Sequence, residues 1–218
     1  MNCEMHGLVD PLLVLVLLIN FVTLGASRLR FVIDAAAAQG VVLGLLTICA
    51  HGTVEWRIVA MGAAAMLLKG VFIPLVLIRA MREVRIRHEV EPFVGFVPSI
   101  LLGGVATAVA FVFAGTLPPA AEHRGSLLIP ASIATALVGF LLMVSRRKAI
   151  MQVVGYLILE NGIFILGLGL LEAMPYLVEA GVLLDLFVCV LVFGIIIDQI
   201  SREFETIDTG RLTALKEE

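Results

Sequence analysis

The sequence predicts an all-α fold, a polytopic transmembrane bundle of seven spanning helices with the N-terminus outside and the C-terminus in the cytoplasm. Three observations carry that prediction. Of 218 residues, 61% are hydrophobic and 15% charged, whereas soluble domains run about 45–50% apolar and about 25% charged. Polar residues this sparse cannot cover a globule, so lipid must be the solvent. The apolar residues also collect in seven runs of spanning length, and lysine and arginine alternate between successive connecting loops.

A spanning helix needs about 20 mostly apolar residues. Reading between the charges places such runs at 11–27, 31–50, 58–78, 93–115, 127–144, 149–171 and 177–197. Asp10 before Pro11 is a favourable N-cap and first-turn pair for the first run. The stretch 8–19 has the length of a signal-peptide core, but Glu4 and Asp10 precede it or stand at its start and no lysine or arginine does. The expectation is therefore a retained helix. In the third run Pro74 follows Lys69 by five residues and predicts a kink. Residues 79–91 read as an extension of helix three beyond the membrane, with Glu83 and Arg87 at i,i+4. Such a segment is either a solvated loop or a dock for a partner or for anionic headgroups. The stretch 115–126, with Pro118 and Pro119, predicts an outer loop dividing helices one to four (1–115) from helices five to seven (116–218). No repeat of 20–50 residues and no inverted repeat is evident.

The cations set the orientation. Arg28 and Arg30 fall in loop one, Arg79, Arg82, Arg85 and Arg87 in loop three, and Arg146, Arg147 and Lys148 in loop five. Arg202, Arg211 and Lys216 follow the last run, while the intervening loops hold only Arg57 and Arg124. That is 12 cations against 2, with Lys69 left inside a helix. Strict alternation of this kind is the positive-inside pattern of an N-out, C-in membrane protein.

Other classes are excluded. A net charge of −3 without a basic stripe interleaved with aromatics argues against nucleic acid. Cys3, Cys49 and Cys189 are isolated from one another, with no C-x-x-C pair, so no iron–sulfur or zinc site is expected in this chain. The P-loop, dinucleotide-binding and H-E-x-x-H motifs are all missing. Catalytic and cofactor-binding residues are accordingly expected to be none.

Charge at the bilayer centre costs about 2.5–3.5 kcal/mol even on the lenient insertion scale, so such residues face a bundle interior and are functional candidates. Glu160 is 11 residues from Ala149, roughly 16 Å into the membrane. Lys69 is equally far from Ile58, and Asp185 enters from the outer side, about 12 Å from Leu177. In a core of about 30 Å these depths nearly coincide, and a polar layer parallel to the membrane follows. Gln152 and Tyr156 precede Glu160 at i−8 and i−4 as a polar stripe, with Asn161 beside it. Gly155 and Gly162 allow close approach of a neighbour. On helix seven Gly181, Asp185 and Cys189 share a face. Groups of this kind can hold or release a proton, or can serve as a static buried pair that fixes helix register. Asn20, Thr23, Ser27, Asp34 and Gln39 read as packing residues nearer the cytoplasmic side.

Ser145-Arg146-Arg147-Lys148, then Ile150-Met151-Gln152-Val153-Val154-Gly155-Tyr156 and Glu160-Asn161, resemble the E component of hydrogenase-4 type membrane hydrogenases. Thr206-Ile207-Asp208 and Leu212-Thr213-Ala214-Leu215-Lys216 are similar to that family's closing segment. The C-terminal third is similar, more distantly, to the small three-helix subunit shared by respiratory complex I, where it is called 4L, and multi-subunit cation/proton antiporters. There a basic pair precedes a helix carrying Gly-Leu-Glu; here Tyr156-Leu157 follows Gly155 and the acid stands three residues later. The resemblance implies a non-catalytic membrane-arm subunit of a proton- or cation-translocating oxidoreductase in the cell inner membrane. It implies antiporter-like membrane subunits, a complex-I-type quinone-chamber homologue and a peripheral hydrogenase arm as partners. Nickel–iron and iron–sulfur centres would lie in those partners. Glu160, Asp185, Lys69, Tyr156, Gln152 and Asn161 become candidates for a proton path. A structural adaptor that moves no ions is the competing expectation; a free-standing transporter lacks the inverted repeat it would need.

Topology is directly testable. Cysteines introduced at Arg82 and Arg147 are expected to react with impermeant reagents only from the cytoplasmic side, and one at Ala121 only from outside. Labelling of positions 82 and 121 from one side would refute the seven-helix reading.

Overall fold

The computed structural model describes residues 7–50, 56–83, 93–116, 127–170 and 194. Among them are six transmembrane-type helical segments and no strand. Helix α1 is Val9–Gly25, α2 is Leu29–Ala50, α4 is Phe96–Thr116, α5 is Leu128–Ser145 and α6 is Ala149–Leu170. Helix α3 has three parts: an α-helical stretch Trp56–Leu67, a π-helical turn Leu68–Phe72, and an α-helical stretch Ile73–Glu83. Five of the six are long and apolar enough to cross a membrane, and α1 is a shorter apolar helix. The expected seventh run, 177–197, lies outside the described residues apart from position 194.

Helix α1 corrects one local expectation. It starts at Val9 with Leu8 as N-cap in a helical conformation and no side-chain cap. Asp10 therefore falls inside the first turn and cannot cap its own helix. Its carboxylate instead accepts the backbone N–H of Leu127 at 3.2 Å, at the start of α5. The orphan donors of a helix N-terminus attract such a carboxylate.

Successive helices reverse direction. Leu24 and Gly25 at the end of α1 meet Gly103 and Ile100 of α4, and the Leu24 carbonyl accepts from Arg146 just past α5. One end of the bundle thus gathers the α1–α2 turn, the start of α4 and the basic α5–α6 turn. The opposite end holds Asp10 and Leu127. Between them the apolar core is split in two. One cluster, near the basic end, includes Leu24, Leu29, Ile33, Leu77, Leu142, Met151 and Ile158. The other includes Leu13, Val16, Leu43, Leu46, Ala131 and Ile165.

Small residues bring the backbones close, as packing in lipid requires, since apolar burial does not drive helices together there. A methyl group on Gly162 of α6 would stand 2.5 Å from the Ala136 nitrogen and 2.7 Å from the Ser132 carbonyl of α5. On α2, a methyl group on Gly40 would stand 2.7 Å from Cβ of Lys69. Helix α4 is peripheral: Ser99, Gly103 and Ala110 are buried, and Val97, Leu101, Val105 and Val112 face outward.

Gly162→Ala is expected to destabilise the protein by about 1–3 kcal/mol, the usual range for overpacking. Gly104→Ala, whose methyl group would meet nothing within 4 Å, is expected to be neutral or slightly stabilising through helix propensity. Detergent-denaturation curves of the two variants provide the comparison, and equal stabilities would contradict the close crossing of α5 and α6.

Candidate functional site: a buried ion pair at mid-depth

Pro74 shapes the helix that carries the site. A proline has no N–H for the carbonyl four residues back, and its ring crowds that carbonyl. Helix α3 widens just before it, over Leu68–Phe72, where the Ile73 N–H reaches the Leu68 carbonyl in a five-residue turn. The sequence-based expectation of a kink is thus realised as a π-turn, a feature frequent at functional sites. Lys69 lies in this turn and is buried, 6% exposed. The missing side chain of Gly40 lets α2 lie directly against it.

Lys69 Nζ donates to Glu160 Oε1 of α6 at 2.6 Å, and both side chains are almost wholly enclosed. It also donates to Asn161 Oδ1 at 3.3 Å and stands 5.1 Å from the centre of the Phe164 ring. An ammonium over an aromatic face gains further electrostatic stabilisation when desolvated. Glu160, Asn161 and Phe164 follow i, i+1, i+4 spacing, which turns all three toward α3 and α2 while Gly162 faces α5.

The polar contacts continue away from the pair. Asn161 Nδ2 donates to Gln39 Oε1 at 3.4 Å, and Gln39 Nε2 donates to Asn20 Oδ1 at 3.1 Å. Asn20 Nδ2 then donates to Thr135 Oγ1 at 2.9 Å, while Thr23 Oγ1 anchors to the Asn20 carbonyl at 2.8 Å. Five helices contribute, and Lys69, Glu160, Asn161, Gln39, Asn20 and Thr135 are all buried. Each stands within about a turn of the middle of its helix. Every amide oxygen in the chain points back toward Lys69 and every amide nitrogen away from it. A fixed positive charge at one end orders dipoles in that sense.

Lys69, Glu160 and Asn161 therefore meet. Tyr156 is half-buried against the basic-end cluster. Gln152 is exposed on the outside of α6, so the expected stripe does not hold together. Eight residues turn a helix by roughly 80° beyond two full turns, which carries Gln152 off the Glu160 face. Asp185 lies outside the described residues. Asp34 is exposed, but Gln39 and Asn20, expected as packing residues nearer the cytoplasmic side, join the buried hydrogen-bond chain. Helix α2 begins at Leu29, so Gln39 is ten residues in, about 15 Å, near the centre of the membrane.

At the basic end Arg146 is buried and donates through Nη2 to the Leu24 carbonyl at 2.7 Å. Its guanidinium stacks over Phe96 at 5.0 Å, and burial pulls its pKa below the ordinary arginine value. Arg147 stacks on Phe93 at 4.2 Å, and the Phe93 N–H donates to the Ser145 carbonyl at 2.8 Å. These contacts tie the ends of α1, α4 and α5 together. Among the described residues no group of three or more His, Cys, Asp or Glu could hold a metal ion, and Cys49 is a free thiol.

These features define a polytopic α-helical membrane protein with, among the described residues, a lysine–carboxylate pair enclosed at mid-depth. The chain belongs to the hydrogenase-4 component E family. It is 30% identical over 156 residues to hydrogenase-4 component E of Escherichia coli K12, covering 71% of each chain. The Shigella flexneri component E matches to the same extent. The uncharacterized protein Rv0085 of Mycobacterium tuberculosis is 29% identical over 193 residues, 87% of each chain. No family model matches, and no solved structure does.

Removing one member of a buried pair leaves an uncompensated charge, at a cost of about 3–5 kcal/mol. Lys69→Met is expected to lower stability by that order, whereas Lys69→Met combined with Glu160→Gln is expected to recover most of the loss. A double-mutant cycle in detergent measures the coupling. Strict additivity of the two single variants would show that the residues do not act as a pair.

Proposed function

We propose that this protein is a non-catalytic membrane-arm subunit of a hydrogenase-type, complex-I-related oxidoreductase, and that its buried ion pair forms part of a proton or cation translocation path. The Lys69–Glu160 contact is the observation that carries the reading. Two titratable groups share a hydrogen bond at the depth where an ion must cross, and an intramembrane ionisable residue has function as its default. The family assignment supports it: the relatives are named as components of hydrogenase-4, so assembly with other subunits is the natural context.

In that assembly the partners would be antiporter-like membrane subunits, a quinone-chamber homologue and a peripheral hydrogenase arm. Nickel–iron and iron–sulfur centres would reside there, and this chain would handle only protons. The basic end of the bundle would face the cytoplasm of a cell with the complex in its inner membrane, as the alternation of cations favours. The pair would carry the titration. Amides do not titrate in the accessible range, so Asn161, Gln39 and Asn20 would hold and polarise the lysine rather than pass a net proton.

The same hydrogen bonding supports a second reading. A hydrogen-bonded polar layer spanning five helices is also what a static adaptor would use to fix register in lipid. One substitution separates the two. Glu160→Gln keeps shape and hydrogen-bonding capacity but removes titration. With the relay, the complex is expected to assemble and to reduce artificial acceptors while ion translocation per electron in vesicles falls. With the adaptor, the Gln variant is expected to translocate normally and Glu160→Ala to lose assembly. Full coupling in an intact Glu160→Gln complex would refute the relay.

A further inference from the structure

A small cavity adjoins the ion pair on its basic-end side. It holds about 10 Å³ and is lined by Ile33, Ala36 and Ala37 of α2, by Lys69, Pro74 and Leu77 of α3, and by Leu157 and Asn161 of α6. That volume is about what a single water molecule requires, and a buried water needs at least two polar partners. Lys69 and Asn161 are the two lining residues with polar side chains. The rest of the wall is apolar. Ile33, Leu77 and Leu157 stand one to two turns closer to the basic end than the polar layer, and all three are buried.

We infer that this cavity is a water site through which Lys69 exchanges its proton with the basic end of the bundle, and that Ile33, Leu77 and Leu157 form an apolar constriction across the route. The inference rests on the relay reading and gives that relay a direction of access. The proton balance is simple. In a loaded state Glu160 is a neutral acid and Lys69 an ammonium. The ammonium gives a proton to the water as another O–H proton of that water leaves toward the basic end. Neutral Lys69 then takes the proton of Glu160, which restores the ion pair seen here. No electrons move, and reversing the steps reloads the pair. The constriction would make the exchange intermittent, since an apolar neck conducts only while it is wetted.

Two features of the surroundings favour this side. Sideways within the layer Asn161 hands its N–H to Gln39, and the chain runs on through amides to Thr135, a route that cannot supply a net proton. On the cavity side the wall residues at 36 and 37 are alanines, the smallest side chains able to keep helical geometry without glycine's penalty. Larger residues there would occupy the space.

The test uses the intact complex in vesicles. Ala37→Val, which projects two methyl groups toward the cavity, is expected to slow ion translocation about tenfold with assembly and electron transfer to artificial acceptors unchanged. Normal translocation in Ala37→Val, with Glu160→Gln impaired, would overturn the water route and leave the relay standing. Normal translocation in both would overturn the relay as well. A density map of the unaltered complex at a resolution that shows waters provides an independent reading. Density within hydrogen-bonding distance of Lys69 Nζ and Asn161 is expected, and a dry cavity would overturn the site whatever the variants do.

Discussion

An ammonium and a carboxylate 2.6 Å apart, in a medium that solvates neither, set the terms for this structure. Each charge alone would carry a desolvation penalty of several kcal/mol, and their attraction offsets it only with close geometry and further hydrogen bonds. The neighbourhood supplies both. A π-turn before Pro74 presents Lys69, Gly40 removes the side chain that would hold α2 away, and Asn161 and Phe164 satisfy the faces of the ammonium that Glu160 leaves. The glycines of α6 serve the same end indirectly, because Gly162 brings α6 hard against α5 while its opposite face carries the acid. The two apolar clusters above and below can then separate the layer from bulk solvent and headgroups.

The amides give the layer a polarity. From Lys69 through Asn161, Gln39 and Asn20, each oxygen faces the charge and each nitrogen turns away. A change in the charge of Lys69 would alter the energy of every dipole in that row, out to Thr135 on α5. A change of charge at the pair would thus be felt in the packing between α1 and α5 through ordinary hydrogen bonds, without any displacement of helices. A proton relay benefits from such a surround, which steadies the cation without competing for the proton.

Much of this was legible in the sequence, for reasons that differ residue by residue. Lys69 and Glu160 stand out because charge inside a 20-residue apolar run is costly, and counting residues from each helix end placed both at one depth. The helices themselves were legible to within a few residues because charges bound them. Asn20, Gln39 and Thr135 were much harder to single out. Uncharged polar residues occur in membrane helices mainly for packing, and nothing local shows which helices will be neighbours. Gln152 misled because i, i+4, i+8 spacing drifts around a 3.6-residue helix. Asp10 misled because capping depends on where the first turn begins, and here the helix starts one residue earlier than Asp10. The π-turn had one visible cause, Pro74, although proline alone does not distinguish a kink from a widened turn.

The central claim is that Glu160 changes its protonation state while its pairing with Lys69 is retained. Infrared difference spectroscopy of the reconstituted complex, before and during turnover, reads this directly through the carbonyl stretch of a protonated carboxylic acid. A protonated-acid band that comes and goes with turnover, and that is lost in Glu160→Gln, is the predicted result. A spectrum in which no carboxylic-acid signal assigned to Glu160 responds to turnover would contradict the account and leave the pair a static tie between helices.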